Sequence, residues 1–448
     1  MKKYRRLSEG LEAANQVKNS AMYAQNHVKH GASSKSRLIS RGNFVNANLK
    51  QYWFLLVLGC FLTYGCFNNI PKATSFYGLP VIDLTKEYPE KDFFVGDDHI
   101  EHVLLETTNE VLVDERFFVK YVSENRIVGF NFERGDIFVF GADGKIISSF
   151  NHTGNSGIDY IRISTLVFDE SRKEIFVSDG YNRRLVVYSE DGKFLRQLNY
   201  PDNIYIGLDN LFNYDDQTLL AYNRPQQRFD ADDVNQKMPY VFLSKEDGSV
   251  VSRIDLSFPV RIADDRHREI SPDHGSRVFS VATNNIVKHG QEFIIADRSS
   301  DTIYLLTQDK NLTPLFVRTP SVFDTDKVIY LSVHFKTDRY IFFGTSSYDF
   351  TRVVERFREG QPYGHLFTTR NLVFDLQTGQ IFSAVRSPRF THIVDAPRNT
   401  TVRWFSAGRL IDLLEEGSLD GRKLKEIAEA IMEEEEEVNP VVEIAVIR

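Results

Sequence analysis

Three stretches of the chain share one pattern: RIVGFNFERGDIFVFGADGKIISSF (126 to 150), EIFVSDGYNRRLVVYSEDGKFLRQL (174 to 198) and EFIIADRSSDTIYLLTQDKNLTPLF (292 to 316). Each reads as a short apolar strand, a polar turn, a second strand, a two-residue turn and a third strand. The tight turns recur at Asp143-Gly144, Asp191-Gly192, Asp247-Gly248, Asp309-Lys310 and Thr378-Gly379. Asp-Gly between alternating apolar runs is a strong hairpin signal, because the tight turn needs residues that tolerate positive φ. An antiparallel meander of this kind cannot bury both of its faces alone. Stacking meanders radially solves the problem, and the result is a β-propeller.

Five such units lie at roughly 117–152, 165–200, 211–257, 286–317 and 334–386. A sixth can be assembled from the chain ends, with LPVIDLT (79 to 85) or HVLLETT (102 to 108) from one side and NPVVEIAVIR (439 to 448) from the other. The expectation is an all-β chain: a six-bladed β-propeller of four-stranded antiparallel blades over 79–448, closed by strands from both termini. A repeat-built fold also suits 448 residues, since a single core rarely grows beyond ~250–300 residues otherwise. The 35 Phe and 20 Tyr sit mostly in short β-prone runs, which favours strands. One segment departs from this. Between 406 and 437, Leu410, Leu413, Leu414, Leu424, Ile427, Ala428 and Ile431 fall at helical spacing and predict a short helical insertion before the last strand. The acidic run Glu433–Glu437 reads as a solvated helix end.

The stretch NLKQYWFLLVLGCFLTYGCFNNIPK (48 to 72) carries no charge between Lys50 and Lys72 and holds both cysteines, Cys60 and Cys66. Its strongly apolar part, Tyr52 to about Phe67, is shorter than the ~20 residues that cross a bilayer. It matches the apolar region of a signal peptide, with Arg41 and Lys50 as basic flank. Each cysteine follows a glycine, which resembles a bacterial lipobox. Cys66 leaves 14 residues, Tyr52 to Gly65, before the cut and is the expected lipidation site; Cys60, after Val57-Leu58-Gly59, is the alternative. Residues 1–66 are then an N-terminal extension and lipoprotein signal peptide, and 67–78 a linker. The extension upstream of the basic flank reads as a start codon placed too early, the alternative being a cytoplasmic tail on a membrane-spanning protein. A multiply acylated cysteine anchors firmly, whereas one chain is marginal. After Cys66 the chain keeps 44 basic and 60 acidic residues, a balance of −16. Such a surface repels phosphate backbones, so nucleic-acid partners are excluded.

The blade FVFGADGKIISSF, the run FVSDGYNRRLVVYSEDGKFL, the lead-in LLETTNEVLV (104 to 113) and the ending LKEIAEAI…NPVVEIAVIR resemble the six-bladed β-propeller lipoproteins of Gram-negative gut anaerobes. Their blades look like NHL repeats, and they belong to the wider TolB-like propeller group. The resemblance covers about residues 79 to 448 and implies the fold and a lipid-anchored place in the cell envelope, at the outer membrane. It implies no activity. The family's Gly-x-Gly-Pro-Gly-Glu-Tyr type loop is altered here to HTGNSGIDY (152 to 160), which keeps Gly154, Gly157 and Tyr160 and loses the proline and glutamate.

Residues with chemistry are sparse. There is no Gly-x-Ser-x-Gly elbow, phosphate-binding loop or Cys/His zinc spacing. DDHIEH (97 to 102) is the most metal-like cluster, but it runs into a strand, where positions three apart face opposite sides; no metal ligands are assigned. Asp179 and Asp297, with Asn131 and Asn223 at equivalent points, suit the capping of turns. Two long polar stretches, RPQQRFDADDVNQKMPY (224 to 240) and RIADDRHREISPDHGSR (261 to 277), flank the same unit and nominate Arg224, Arg228, Asp230, Asp233, His267, Arg268 and His274 as ligand-binding residues. The function expected is a lipid-anchored binding or protein-interaction module with a protein or glycan partner. No catalytic residue is assigned and no cofactor is expected. The alternative is a propeller hydrolase or lyase with a cation such as calcium in the central channel.

Overall fold

The computed structural model describes residues 74–447 apart from 77, 94–96, 109–110, 115, 203, 225–231, 263–265, 272–274, 281–282, 325–328, 349–366, 387–393, 420 and 435–436. The chain enters through β1 (Thr74–Phe76), β2 (Leu79–Asp83), β3 (Glu90–Lys91) and β4 (Ile100–Leu104). Blade 1 is β5 (Phe117–Val122), β6 (Arg126–Asn131), β7 (Ile137–Gly141) and β8 (Ile146–Phe150). Blade 2 is β9 (Ile163–Asp169), β10 (Glu174–Asp179), β11 (Arg184–Ser189) and β12 (Phe194–Asn199), and blade 3 is β13 (Ile206–Asn213), β14 (Thr218–Asn223), β15 (Tyr240–Ser244) and β16 (Val250–Arg253). A one-turn helix, α1 (Val234–Lys237), lies between β14 and β15. A hairpin, β17 (Arg266–Ser271) with β18 (Gly275–Ser280), stands in the connection to blade 4 and takes in part of the polar stretch 261–277. Blade 4 is β19 (Ile286–His289), β20 (Glu292–Ile295), β21 (Thr302–Leu306) and β22 (Leu312–Thr319), and blade 5 is β23 (Ile329–Lys336), β24 (Tyr340–Tyr348), β25 (Phe367–Asp375) and β26 (Ile381–Ala384).

Blade 6 closes the ring with both chain ends. Its inner run, around Asp395, pairs with β5 of blade 1: Asp395 N–H donates to the Lys120 carbonyl and Val122 N–H to the Asp395 carbonyl, both at 2.9 Å. β27 (Thr400–Phe405) and β28 (Val441–Val446) follow, and β4 from the N-terminus is the outer strand, antiparallel to β28 with Val442 opposite Val103. Of the two N-terminal candidates, HVLLETT therefore supplies the strand. LPVIDLT goes elsewhere: β2 adds parallel to β22 at the outer edge of blade 4, and β3 parallel to β26 of blade 5. The free edge of β28 takes one strand only, and β4 occupies it, so the upstream residues are left to cover the edges of the preceding blades.

The hairpin signals have a backbone cause. Gly144, Gly192, Gly248 and Gly379 all have positive φ, 68° to 83°, and Lys310 takes the same position at 62° in the turn that lacks glycine. The core is distributed between blades instead of being central. Phe168 and Tyr188 of blade 2 meet Val128 and Phe130 of blade 1, Phe176 and Leu185 meet Leu219 and Val241 of blade 3, and Phe316 of blade 4 meets Phe343 and Phe374 of blade 5.

In a meander, connections after the first and third strands leave one face of the ring, and those after the second and fourth leave the other. On the first face every connection is a short turn, such as 123–125, 170–173, 245–249 and 337–339. The long ones, 224–239, 254–285 and 406–440, leave the second face, and Tyr348 and Phe367, the described residues on either side of 349–366, lie at that face too. The 406–440 connection holds the predicted helices, α2 (Ala407–Glu415) and α3 (Arg422–Glu433). Ser406 caps α2 by accepting the Arg409 N–H at 3.2 Å, and Leu410, Leu413, Leu424, Ala428 and Ile431 bury together against Val441.

Candidate functional site

The elaborated face has an ordered base beside blades 3 and 4. Asp233 caps α1, accepting the Asn235 N–H at 2.8 Å, and Asn223 holds the same turn by donating to the Asn235 carbonyl at 2.6 Å. From the second long connection, Arg261 reaches the first: it donates to the Tyr222 hydroxyl at 2.7 Å and to the Gln236 carbonyl at 3.4 Å, with its guanidinium over the Tyr222 ring. Tyr240 donates to Asp297 of blade 4 at 2.9 Å, and burial, together with this neighbouring carboxylate, pushes the phenol well above its ordinary pKa.

Next to this junction a cavity of about 230 Å³ opens between blades 4 and 5. Ile262, Ala296, Ile303, Val322, Ile329 and Leu331 give it an apolar wall; Thr283, Asp297, Arg298, Ser300, Arg318, Ser321 and Tyr330 bring polar groups. Arg298 donates to Thr283 Oγ1 at 2.7 Å and lies over the Tyr330 ring. Thr283 and Tyr330 also border a second, polar cavity of about 190 Å³ on blade 5, with Ser332, His334, Thr345, Thr369, Arg370 and Asn371. Burial lowers the pKa of His334, so its imidazole is neutral at physiological pH.

The nominated residues divide. Arg224, half-buried, follows β14, and Asp233 serves as the α1 cap. His267 and Arg268 lie on β17. Arg228, Asp230 and His274 lie outside the described residues. The cavity is lined by other residues. Arg318 could have been found from alternation along β22, because it shares a face with the fully buried Phe316. Tyr330 and Thr283 carry no such signal, since only the packing of blade 4 against blade 5 brings them together.

The aspartate and asparagine positions are structural. Asn131 accepts the N–H groups of Glu133 and Arg134, Asp297 that of Ser299 and Asp179 the side chain of Asn182, which are turn caps. In DDHIEH, His102 pairs with Glu443 at 3.2 Å, and Glu443 also pairs with Arg403. No group of three His, Cys, Asp or Glu among the described residues could hold a metal. Near the ring axis Asp395 is joined to Lys288, two blades away, at 2.5 Å, so its charge is already neutralised. The altered Gly-rich loop is braced from within: Tyr160 is fully buried and donates to the Gly135 carbonyl at 2.6 Å, and Arg184 donates to the carbonyls of Ser156, Gly157 and Asp159. Three of its carbonyls are thereby committed to the join between blades 1 and 2.

No helix among the described residues is long and apolar enough to cross a membrane. A solved structure of a Bacteroides fragilis protein described as exported superposes with a TM-score of 0.53 at 14% identity, over 82% of this chain and 100% of that one. A Bacteroides vulgatus member of the DUF4221 family gives 0.39 at 10% identity, over 63% of this chain and 86% of that one. No curated protein matches in sequence. A family model described as a domain of unknown function, DUF4934, matches residues 79–445.

Proposed function

We propose that this chain, which belongs to the DUF4934 family, is an exported binding module, held at the cell envelope by a lipid on Cys66, whose ligand or partner engages the face that carries the long connections. The observation behind this is the asymmetry of the ring: among the described residues the long connections leave one face, while the other is built from short turns. Rigid blades let such segments vary without unfolding the core, which is how scaffolds carry binding surfaces. The exported description of the Bacteroides fragilis protein supports the compartment, and the 14 residues from Tyr52 to Gly65 ahead of Cys66 support the anchor. Near the axis the described groups are mixed, Lys120, Phe168, Phe212, Asn213 and Asp395, and the carboxylate there is paired, which favours binding over cation-dependent hydrolysis.

Arrays of glycans and peptides probed with residues 67–448 test this reading. Arg228→Ala with His267→Ala should weaken the captured ligand at least tenfold with little change in melting temperature. Blank arrays, or binding indifferent to both substitutions, would count against it. Mass spectrometry of the mature N-terminus should find acylated Cys66; an intact N-terminus upstream of Lys50 would remove the anchor.

A further inference from the structure

The cavity between blades 4 and 5 is lined by a buried cation that forms no ion pair among the described residues. Arg318 is 5% exposed. Among the described residues its guanidinium makes one hydrogen bond, Nε–H to the Pro320 carbonyl at 3.0 Å, and its Nη2 is buried with no partner. The Asp301 charge attracts it, but the hydrogen bonds of the nearby carboxylates come from other donors. Asp301 accepts the Val322 N–H at 2.6 Å, and Asp297 accepts the Ser299 N–H at 2.7 Å and the Tyr240 hydroxyl at 2.9 Å. A buried charge is ordinarily paired, because desolvation without compensation is costly. Among the described residues no carboxylate forms an ion pair with Arg318, and Arg318 lines the cavity. Burial pushes the Arg318 pKa down to about 10, which still leaves it charged at neutral pH.

We propose that this cavity is a binding site for a small organic monocarboxylate, with the carboxylate on the Arg318 fork and an apolar or aromatic body against Ile303, Ile329, Leu331 and Tyr330. The inference deepens the binding-module reading and rests on it. A planar carboxylate matches the two N–H groups of a guanidinium edge, and charge-assisted pairs of this kind are strong. Inorganic phosphate or sulfate would leave the apolar wall of Ile303, Ile329 and Leu331 uncovered, whereas an acid with an apolar body covers it. Size sets the class: an apolar cavity of ~150 Å³ admits benzene, so 230 Å³ accommodates a single ring bearing an acid group, or a branched aliphatic acid of similar bulk.

The test uses the full-length protein in detergent micelles and 4-fluorobenzoate, followed by ¹⁹F NMR, with benzoate, isovalerate, benzyl alcohol and inorganic phosphate as competitors. Benzoate and isovalerate should displace the probe, and benzyl alcohol and phosphate should not. Arg318→Met should weaken the probe at least thirtyfold while leaving the melting temperature equal or higher, because it removes an unpaired buried charge. Arg318→Lys, which keeps the charge but loses the fork, should fall between. Absence of saturable binding, equal competition by benzyl alcohol, preference for phosphate, or binding unchanged in Arg318→Met would each overturn the proposal. A drop in melting temperature for both variants without loss of binding would overturn it too, since Arg318 would then be structural. The array experiment leaves Arg318 intact, so the two readings fail separately.

Discussion

The most informative single residue for stability is Lys245. Its side chain is fully buried after β15, and its ammonium meets Asp169 of blade 2 at 2.5 Å and the Asp215 carbonyl at 2.6 Å. Burial alone would raise the Asp169 pKa, but Lys245 and Ser171 hold it below the ordinary value. Removing one partner of such a pair typically costs ~3–5 kcal/mol. Lys245→Met should destabilise by about that much in denaturant titration, and Lys245→Met with Asp169→Leu should recover most of the loss. Histidines decide part of the pH dependence. Burial lowers the pKa of both His289 and His334 from 6.5, so as pH falls below 6.5 the unfolded chain takes up protons first and stability declines. The depressed carboxylates Asp169, Asp375 and Glu443 act in the same direction: their contribution is present above the unfolded value and is lost as pH falls through the folded one. The melting temperature should therefore fall steadily on acidification from about pH 7.5. His334→Asn should flatten the part just below pH 6.5; an unchanged slope would mean that this imidazole does not titrate on unfolding.

At the scale of elements, the belt formed by β2 and β3 has a definite task. It covers the outer edges of blades 4 and 5, which would otherwise present unpaired N–H and C=O groups. Side chains fasten it. Phe93 meets Tyr340, Phe342 and Phe382 edge-on, with Lys91 over the Phe382 ring at 4.7 Å, and the Tyr88 hydroxyl donates to the Asp83 carbonyl at 2.9 Å. Phe93 is half-buried, so Phe93→Ala should cost about 2 kcal/mol, less than the ~3–5 kcal/mol of a fully enclosed phenylalanine. The belt should also become protease-sensitive ahead of the blades. Simultaneous cleavage of belt and blades would show that the belt is no separate unit.

The whole molecule depends on its seam. Asn439 is fully buried where the chain ends meet: its amide donates to the carbonyls of Glu106 and Val111 and accepts the Val113 N–H at 2.7 Å. Two residues later β28 begins as the strand between β27 and β4. Deleting residues 439–448 would remove that strand and orphan its neighbours on both sides. The deletion should abolish cooperative unfolding of the entire ring, read by circular dichroism and calorimetry. A truncated protein that melts unchanged would mean that the ring does not need its closure.

Short-range chemistry explains what could be read in advance. Alternation in the strands, the Asp-Gly turns and the helical spacing of Leu410 to Ile431 each depend on neighbours a few residues apart, so five blades, the insertion and closure by both ends were legible in the chain. The choice between LPVIDLT and HVLLETT was not, because both are apolar enough for an edge; it depended on which edge was free once β28 lay in place. The site was the least legible part. The polar stretches drew attention to Arg224 and Asp233, yet the cavity is built by Arg318, Tyr330 and Thr283 from three different segments. Alternation along β22 puts Arg318 on the buried face with Phe316, but says nothing of its partners. Arg318 becomes a buried cation beside a cavity, with no ion pair among the described residues, because blade 4 packs against blade 5, and no local pattern encodes that.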